Sequence, residues 1–130
     1  MKQFIVAALV AAAIFIQGCG EKKVDAEKLN HANALVNTAH FEEGINQLEA
    51  LAKGSPNDTS LKQSLVSAHL KFANYFMYND SLPPKVKYPS ALQEYRAVLK
   101  IDPNNSDAKQ NADLIISIYH SMGREVPEPN

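Results

Sequence analysis

Few side chains in this 130-residue chain could do chemistry, and their spacing keeps most of them apart. The histidines are His31, His40, His69 and His120, and the single cysteine is Cys19. No His-Glu-x-x-His pair or Cys/His cluster occurs, so the spacing implies neither a zinc site nor a nucleophile with its base. Glu42 and Glu43 fall in the first turn of an expected helix, where the positive end of the helix dipole favours carboxylates without any active site. The five glycines form no phosphate-cradling loop. No catalytic residue, metal ligand or cofactor is therefore expected, and the chain does not read as an enzyme. Cys19 alone has an informative setting. A short start bearing Lys2 leads into an uncharged apolar run from Phe4 to Ile16, and a small residue precedes the cysteine, which is the layout of a secretory signal. The run of about 13 residues is shorter than the roughly 20 that a membrane-spanning helix needs. An exported lone cysteine has no partner for an internal disulfide.

Ile16-Gln17-Gly18-Cys19 resembles the lipobox of bacterial lipoproteins, with Ile16 where leucine is commonest and Gln17 where alanine or serine is. The resemblance implies diacylglycerol transfer to the Cys19 sulfur, cleavage after Gly18 and N-acylation of the new terminus. Residues 1–18 are then the signal peptide, and residues 19–24 the lipidated start and a polar tether. Each acyl methylene contributes about 0.8 kcal/mol, so several chains anchor far more firmly than one. By resemblance to the enterobacterial sorting rule, Gly20 after the cysteine implies the outer membrane, facing the periplasm.

Without its signal the chain keeps 112 residues, enough for one small domain. Loss of Lys2 takes the formal charge from −1 to −2, too mild for a nucleic-acid binder, and no basic stripe occurs. With no tryptophan and 8% aromatics, the core has to come from Ala, Leu, Ile, Val and a few Tyr and Phe. That composition suits closely packed helices.

The chain also repeats itself. Phe41, Gly44, Leu48, Leu51 and Pro56 have the spacing of Tyr88, Ala91, Tyr95, Val98 and Pro103, at a constant offset of 47 residues. Phe72 and Tyr119 stand at the same offset. In each copy the aromatic, the small residue and the large apolar residues fall three or four apart, forming one stripe on a helix. Gly44 or Ala91 on that stripe lets a neighbouring helix come close. Pro56-Asn57-Asp58 and Pro103-Asn104-Asn105 then end one helix and cap the next. Asn57, Asn79 and Asn104 each begin an Asn-x-Ser/Thr triplet, and two of the three belong to these helix caps.

Ala91 to Asn105 resembles the second helix and following turn of a tetratricopeptide repeat, and Ala108 through Tyr119 to Gly123-Arg124 resembles the first helix of a next unit. Phe41 to Asp58 is a weaker copy, with Gly44 for the usual alanine and Gly54 for the usual aliphatic residue. The resemblance covers residues 25–124 and implies an all-α fold: a short antiparallel helix-hairpin solenoid of about five helices after the N-terminal signal helix. The usual unit has 34 residues, so a 47-residue offset needs about 13 more. A lengthened first helix and the segment 78–87, with Pro83 and Pro84, supply them. Helices are expected near 25–38, 41–54, 59–77, 88–101 and 106–122, with 125–130 a flexible tail.

In that family the first helix of each unit lines a groove for peptides or partner helices. On those helices the polar residues at helical spacing include Asn33 and Asn37, then Gln63, Ser67 and Asn74, then Gln110 and Ser117. Neutral amides and hydroxyls of this kind can bond an extended peptide backbone. The segment 78–87, led by Tyr75, Phe76, Met77 and Tyr78, is a second candidate surface. The expected function is thus a membrane-anchored scaffold that holds other envelope proteins or peptides, with self-association also open. The alternative is a permanently bound accessory subunit of a secretion, pilus or cell-wall assembly machine. An exposed apolar face on the last helix (Leu114, Ile115, Ile118, Met122) would favour that alternative. A small-ligand binder or enzyme would instead need a pocket with converging histidine and carboxylate groups.

Overall fold

The computed structural model describes residues 22–130. Cys19 and the signal segment lie outside them. The described residues form five α-helices and no strand: α1 (Ala26–Asn37), α2 (Phe41–Gly54), α3 (Thr59–Tyr78), α4 (Pro84–Ile101) and α5 (Ser106–Ser121). Each helix packs on its neighbours in sequence, and α1 also meets α3. None of these helices is long and apolar enough to cross a membrane.

Local chemistry sets the helix ends. Asp25, Asp58 and Asn105 are the N-caps of α1, α3 and α5, their side-chain oxygens accepting from backbone N–H groups in the first turn. The Ser60 hydroxyl and the Leu61 amide, both donating to Asp58, hold its carboxyl below the usual carboxylate range. Glu42 and Glu43 do occupy the first turn of α2, which has no side-chain cap. Two helices end in the same way. After α1, Ala39 N–H donates to Val36 and His40 N–H to Leu35; after α5, Gly123 N–H donates to His120 and Arg124 N–H to Tyr119. This is the Schellman arrangement, which puts one residue in the left-handed region. That residue is Gly123 (φ 62°) after α5 but Ala39 (φ 65°) after α1.

The structure corrects the segment 78–87. The connection covers only residues 79–83, and α4 begins at Pro84, four residues before the expected start. Proline suits the first helical position, where its missing N–H has no intrahelical partner and its φ is already helical. Further in, Pro89 lies inside α4 and deprives the Lys85 carbonyl of its usual donor. Asn79 Oδ1 accepts from Ser81 N–H, and Lys87 reaches Asp80 at 3.4 Å, so the short connection is tied at both ends.

Two apolar clusters share α3. One joins Ala32 and Val36 of α1, Ile45 and Leu48 of α2, and Leu61, Leu65 and Ala68 of α3. The other joins Ala73 of α3 to Ala91, Leu92, Tyr95 and Val98 of α4 and to Ala108, Ala112, Ile115 and Tyr119 of α5. At about 1.5 Å per residue, the 20 residues of α3 span roughly 30 Å, enough to serve both. Gly44 is required where it stands. A Cβ there would lie 2.6 Å from Val36 Cγ2 and 2.9 Å from the Ala32 carbonyl oxygen, so α1 sits too close to α2 for alanine. Beside this contact Phe41 stacks on Phe72 with centroids 5.0 Å apart, and Phe72 meets Phe76 at 4.6 Å. At the near end of the domain the Ser55 hydroxyl, in the α2–α3 turn, donates to the Lys22 carbonyl.

Candidate functional site

Residues Ser60, Gln63, Ser67, Lys71 and Asn74 recur at three- and four-residue steps and so share one face of α3. Two adjoining hollows open on that face. One, of about 500 Å³, lies between α1 and α3 and is lined by Asn33, Asn37, Gln63 and Ser67. The other, of about 590 Å³, runs from Gln63 and Ser67 past Val66, Leu70 and Asn74 to Ile101 and Asp102. Gln63, Ser67 and Lys71 line both.

The expected binding residues separate by what already bonds them. Asn33 Nδ2 donates to Ser64 Oγ at 3.2 Å, and Asn37 Oδ1 accepts from Lys71 Nζ, so both tie α1 to α3. Asn74 Oδ1 accepts from the Tyr95 hydroxyl at 2.7 Å. Burial of that ring pushes the Tyr95 phenol up to about 12, with the charges at Tyr78 and Asp107 adding to the effect. Gln63 and Ser67 are exposed and keep their polar groups free to meet a partner. Gln110 and Ser117 on α5 line neither hollow, and the Ser117 hydroxyl is turned back on the Leu114 carbonyl at 2.7 Å. The α5 polar residues therefore do not extend the face.

The aromatic lead into the connection is split. Tyr75 and Tyr78 are 46% and 66% exposed, whereas Phe76 and Met77 pack against the second cluster. The apolar face expected on α5 is narrower than the sequence suggests. Ile115 is fully buried and Ile118 partly, leaving Leu114 and Met122 about half exposed.

One arrangement was not foreseen. His69 Nδ1 and Glu94 Oε2 lie 2.7 Å apart, largely buried, and link α3 to α4. They line a cavity of about 380 Å³ together with Glu49, Ser90, Arg96 and Lys100. A carboxylate on one imidazole nitrogen is how a general base is oriented. Ser90, on the same wall, makes no hydrogen bond to His69. A signal for the pair existed in the sequence: His69 continues the four-residue series Leu61, Leu65, Ala73, a buried stripe where a polar group needs a partner. Of the other histidines, His31 bonds Gln47 from α1 to α2, and His40 bonds Thr38 beside it. Among the described residues no three histidine, cysteine or acidic side chains gather as a metal site would require. Comparisons with protein-family models, curated proteins and solved structures gave no match, so the functional reading rests on these residues.

Proposed function

We propose that the chain is a lipid-anchored interaction module of tetratricopeptide type that holds other envelope proteins at the periplasmic side of a bacterial outer membrane, by binding and not by catalysis. The observation that carries this reading is the pairing of free Gln63 and Ser67 with two adjoining hollows on α3. Asn33, Asn37 and Asn74 are held rigid around them by bonds to neighbouring helices. A face of this kind offers donors and acceptors to an extended backbone, with Val66 and Leu70 giving apolar contact. Acylation at Cys19 would confine the module to a thin layer, where modest affinity suffices.

A photo-crosslinking amino acid at position 63, in intact cells, tests both parts. Envelope proteins should be captured from position 63 and not from exposed Lys53 on α2. Cys19→Ser should release the protein from membranes without changing its helical content. Equal capture from both positions defeats the binding reading, and membrane retention of the serine variant after a salt wash defeats the anchor. Leu114 on α5 and Met122 just past its end, each about half exposed, favour the second reading of a permanently bound subunit. Under that reading Leu114→Glu, and not Gln63→Ala, should abolish co-purification with the assembly.

A further inference from the structure

The segment Glu125-Val126-Pro127-Glu128-Pro129-Asn130, expected as a flexible tail, runs back along α4. Val126 packs against the second apolar cluster, Arg96 Nη1 donates to the Pro127 carbonyl at 2.6 Å, and Lys100 Nζ donates to a main-chain oxygen of Asn130 at 3.2 Å. Its last four residues, 127–130, line the same cavity as His69 and Glu94. None of its residues beyond Arg124 makes a backbone–backbone hydrogen bond. Two side-chain donors and one valine therefore hold it.

The chemistry of these contacts says what the face accepts. Proline fixes φ near −65°, and the residue before a proline is steered away from the helical region, so Val126 to Pro129 are biased to the extended polyproline conformation. That conformation repeats about every three residues, which brings Pro127 and Asn130 to the same side of the segment. Arg96 and Lys100 stand four residues apart on α4 and so share a helix face. Two long donors at helical spacing thus meet two main-chain oxygens at polyproline spacing. Both bonds go to backbone oxygens, so they require extended shape and leave side-chain identity open.

We infer that this face of α4 is a docking groove for extended Pro-x-Pro segments of partner proteins, and that residues 126–130 are its resident, displaceable occupant. A prealigned proline segment loses little conformational entropy on docking, which suits a groove with so few bonds. The groove is distinct from the Gln63 face. On an ideal helix His69 lies about 200° around α3 from Ser67, so the inference stands whether or not the Gln63 face binds anything.

The test uses the full chain and a fluorescein-labelled peptide of residues 124–130, read by fluorescence anisotropy. In the double variant Pro127→Gly/Pro129→Gly the resident segment is loosened, and the peptide should bind at least tenfold more tightly than to the unaltered chain. Adding Arg96→Ala to that variant should remove the gain, and a peptide with both prolines replaced by glycine should not bind. In a second measurement, excess unlabelled peptide added to the unaltered chain should move the amide NMR signals of Val126 and Glu128 toward those of the loosened variant. Equal binding to the unaltered and loosened chains, a gain that survives Arg96→Ala, or no binding to any form overturns the inference.

Discussion

The two copies of the 47-residue pattern fill space differently although their stripes match position for position. In α2 the stripe runs Gly44, Leu48, Leu51; in α4 it runs Ala91, Tyr95, Val98. Gly44 and Ala91 are both buried, and so are Leu48 and Tyr95. The first copy brings α1 so close that a single methyl has no room. The second places a full phenol ring at the leucine position and needs Asn74 on α3 to satisfy its hydroxyl. A repeat thus preserves which positions face inward, while the volume at each position is settled locally. It follows that the copies are not interchangeable residue by residue.

The sharpest way to break this comparison is to give the first copy the second copy's residue. Leu48→Tyr should destabilise by about 3 kcal/mol or more, because it overpacks the α1–α2–α3 cluster and buries a hydroxyl with no Asn74 equivalent. A urea-unfolding loss under about 1 kcal/mol would show that the two sites tolerate the same volume. Alkali probes the same difference from the other side. The Tyr95 phenol is raised in the folded chain, so its contribution is fully present below its ordinary value of 10.0 and is lost as the pH climbs toward about 12. That amounts to about 2–3 kcal/mol across the window, at about 1.4 kcal/mol per pH unit. Tyr95→Phe should flatten this slope relative to the unaltered chain in unfolding measurements at successive pH values. Parallel slopes would mean that the ring is not kept neutral by burial.

Smaller effects sharpen the picture. Gly44→Ala should cost about 1–2 kcal/mol in spite of alanine's better helix propensity, because its Cβ meets the Ala32 carbonyl as well as the Val36 side chain. A stabilised Gly44→Ala would remove the close approach from the argument. The smallest contrast lies at the two Schellman ends. Ala39→Gly should stabilise by about 0.5–1 kcal/mol by relieving a left-handed alanine, and Gly123→Ala should destabilise by a similar amount. Thermal melts of the pair should move in opposite directions.

Much of this fold is legible in the residues because helix periodicity, capping residues and the 47-residue offset all agree. Gly44 is an example: read as a small residue on a helix stripe, it proves to mark the tightest approach between two helices. The start of α4 was hidden because Pro83-Pro84 reads as a break, whereas Pro84 also suits a first turn. The candidate face was legible on α1 and α3, where Asn33, Gln63 and Ser67 converge. Gln110 and Ser117 of α5 lie away from the two hollows; spacing along one helix does not say which way that helix is rotated in the stack. The His69–Glu94 link joins residues 25 apart, and the course of residues 125–130 depends on Arg96 and Lys100 of another element. Local sequence carries no direct record of such meetings.

The bond from Ser55 to the Lys22 carbonyl has a geometric corollary for a chain acylated at Cys19. Three chain steps lead from position 19 to position 22, and three extended steps reach about 10 Å at most. Held by so short a leash, the domain would stand almost on the headgroups with its α2–α3 turn downward. Its freedom would then be largely rotation about the bilayer normal, and what it meets would be decided by height above the lipid as much as by chemistry.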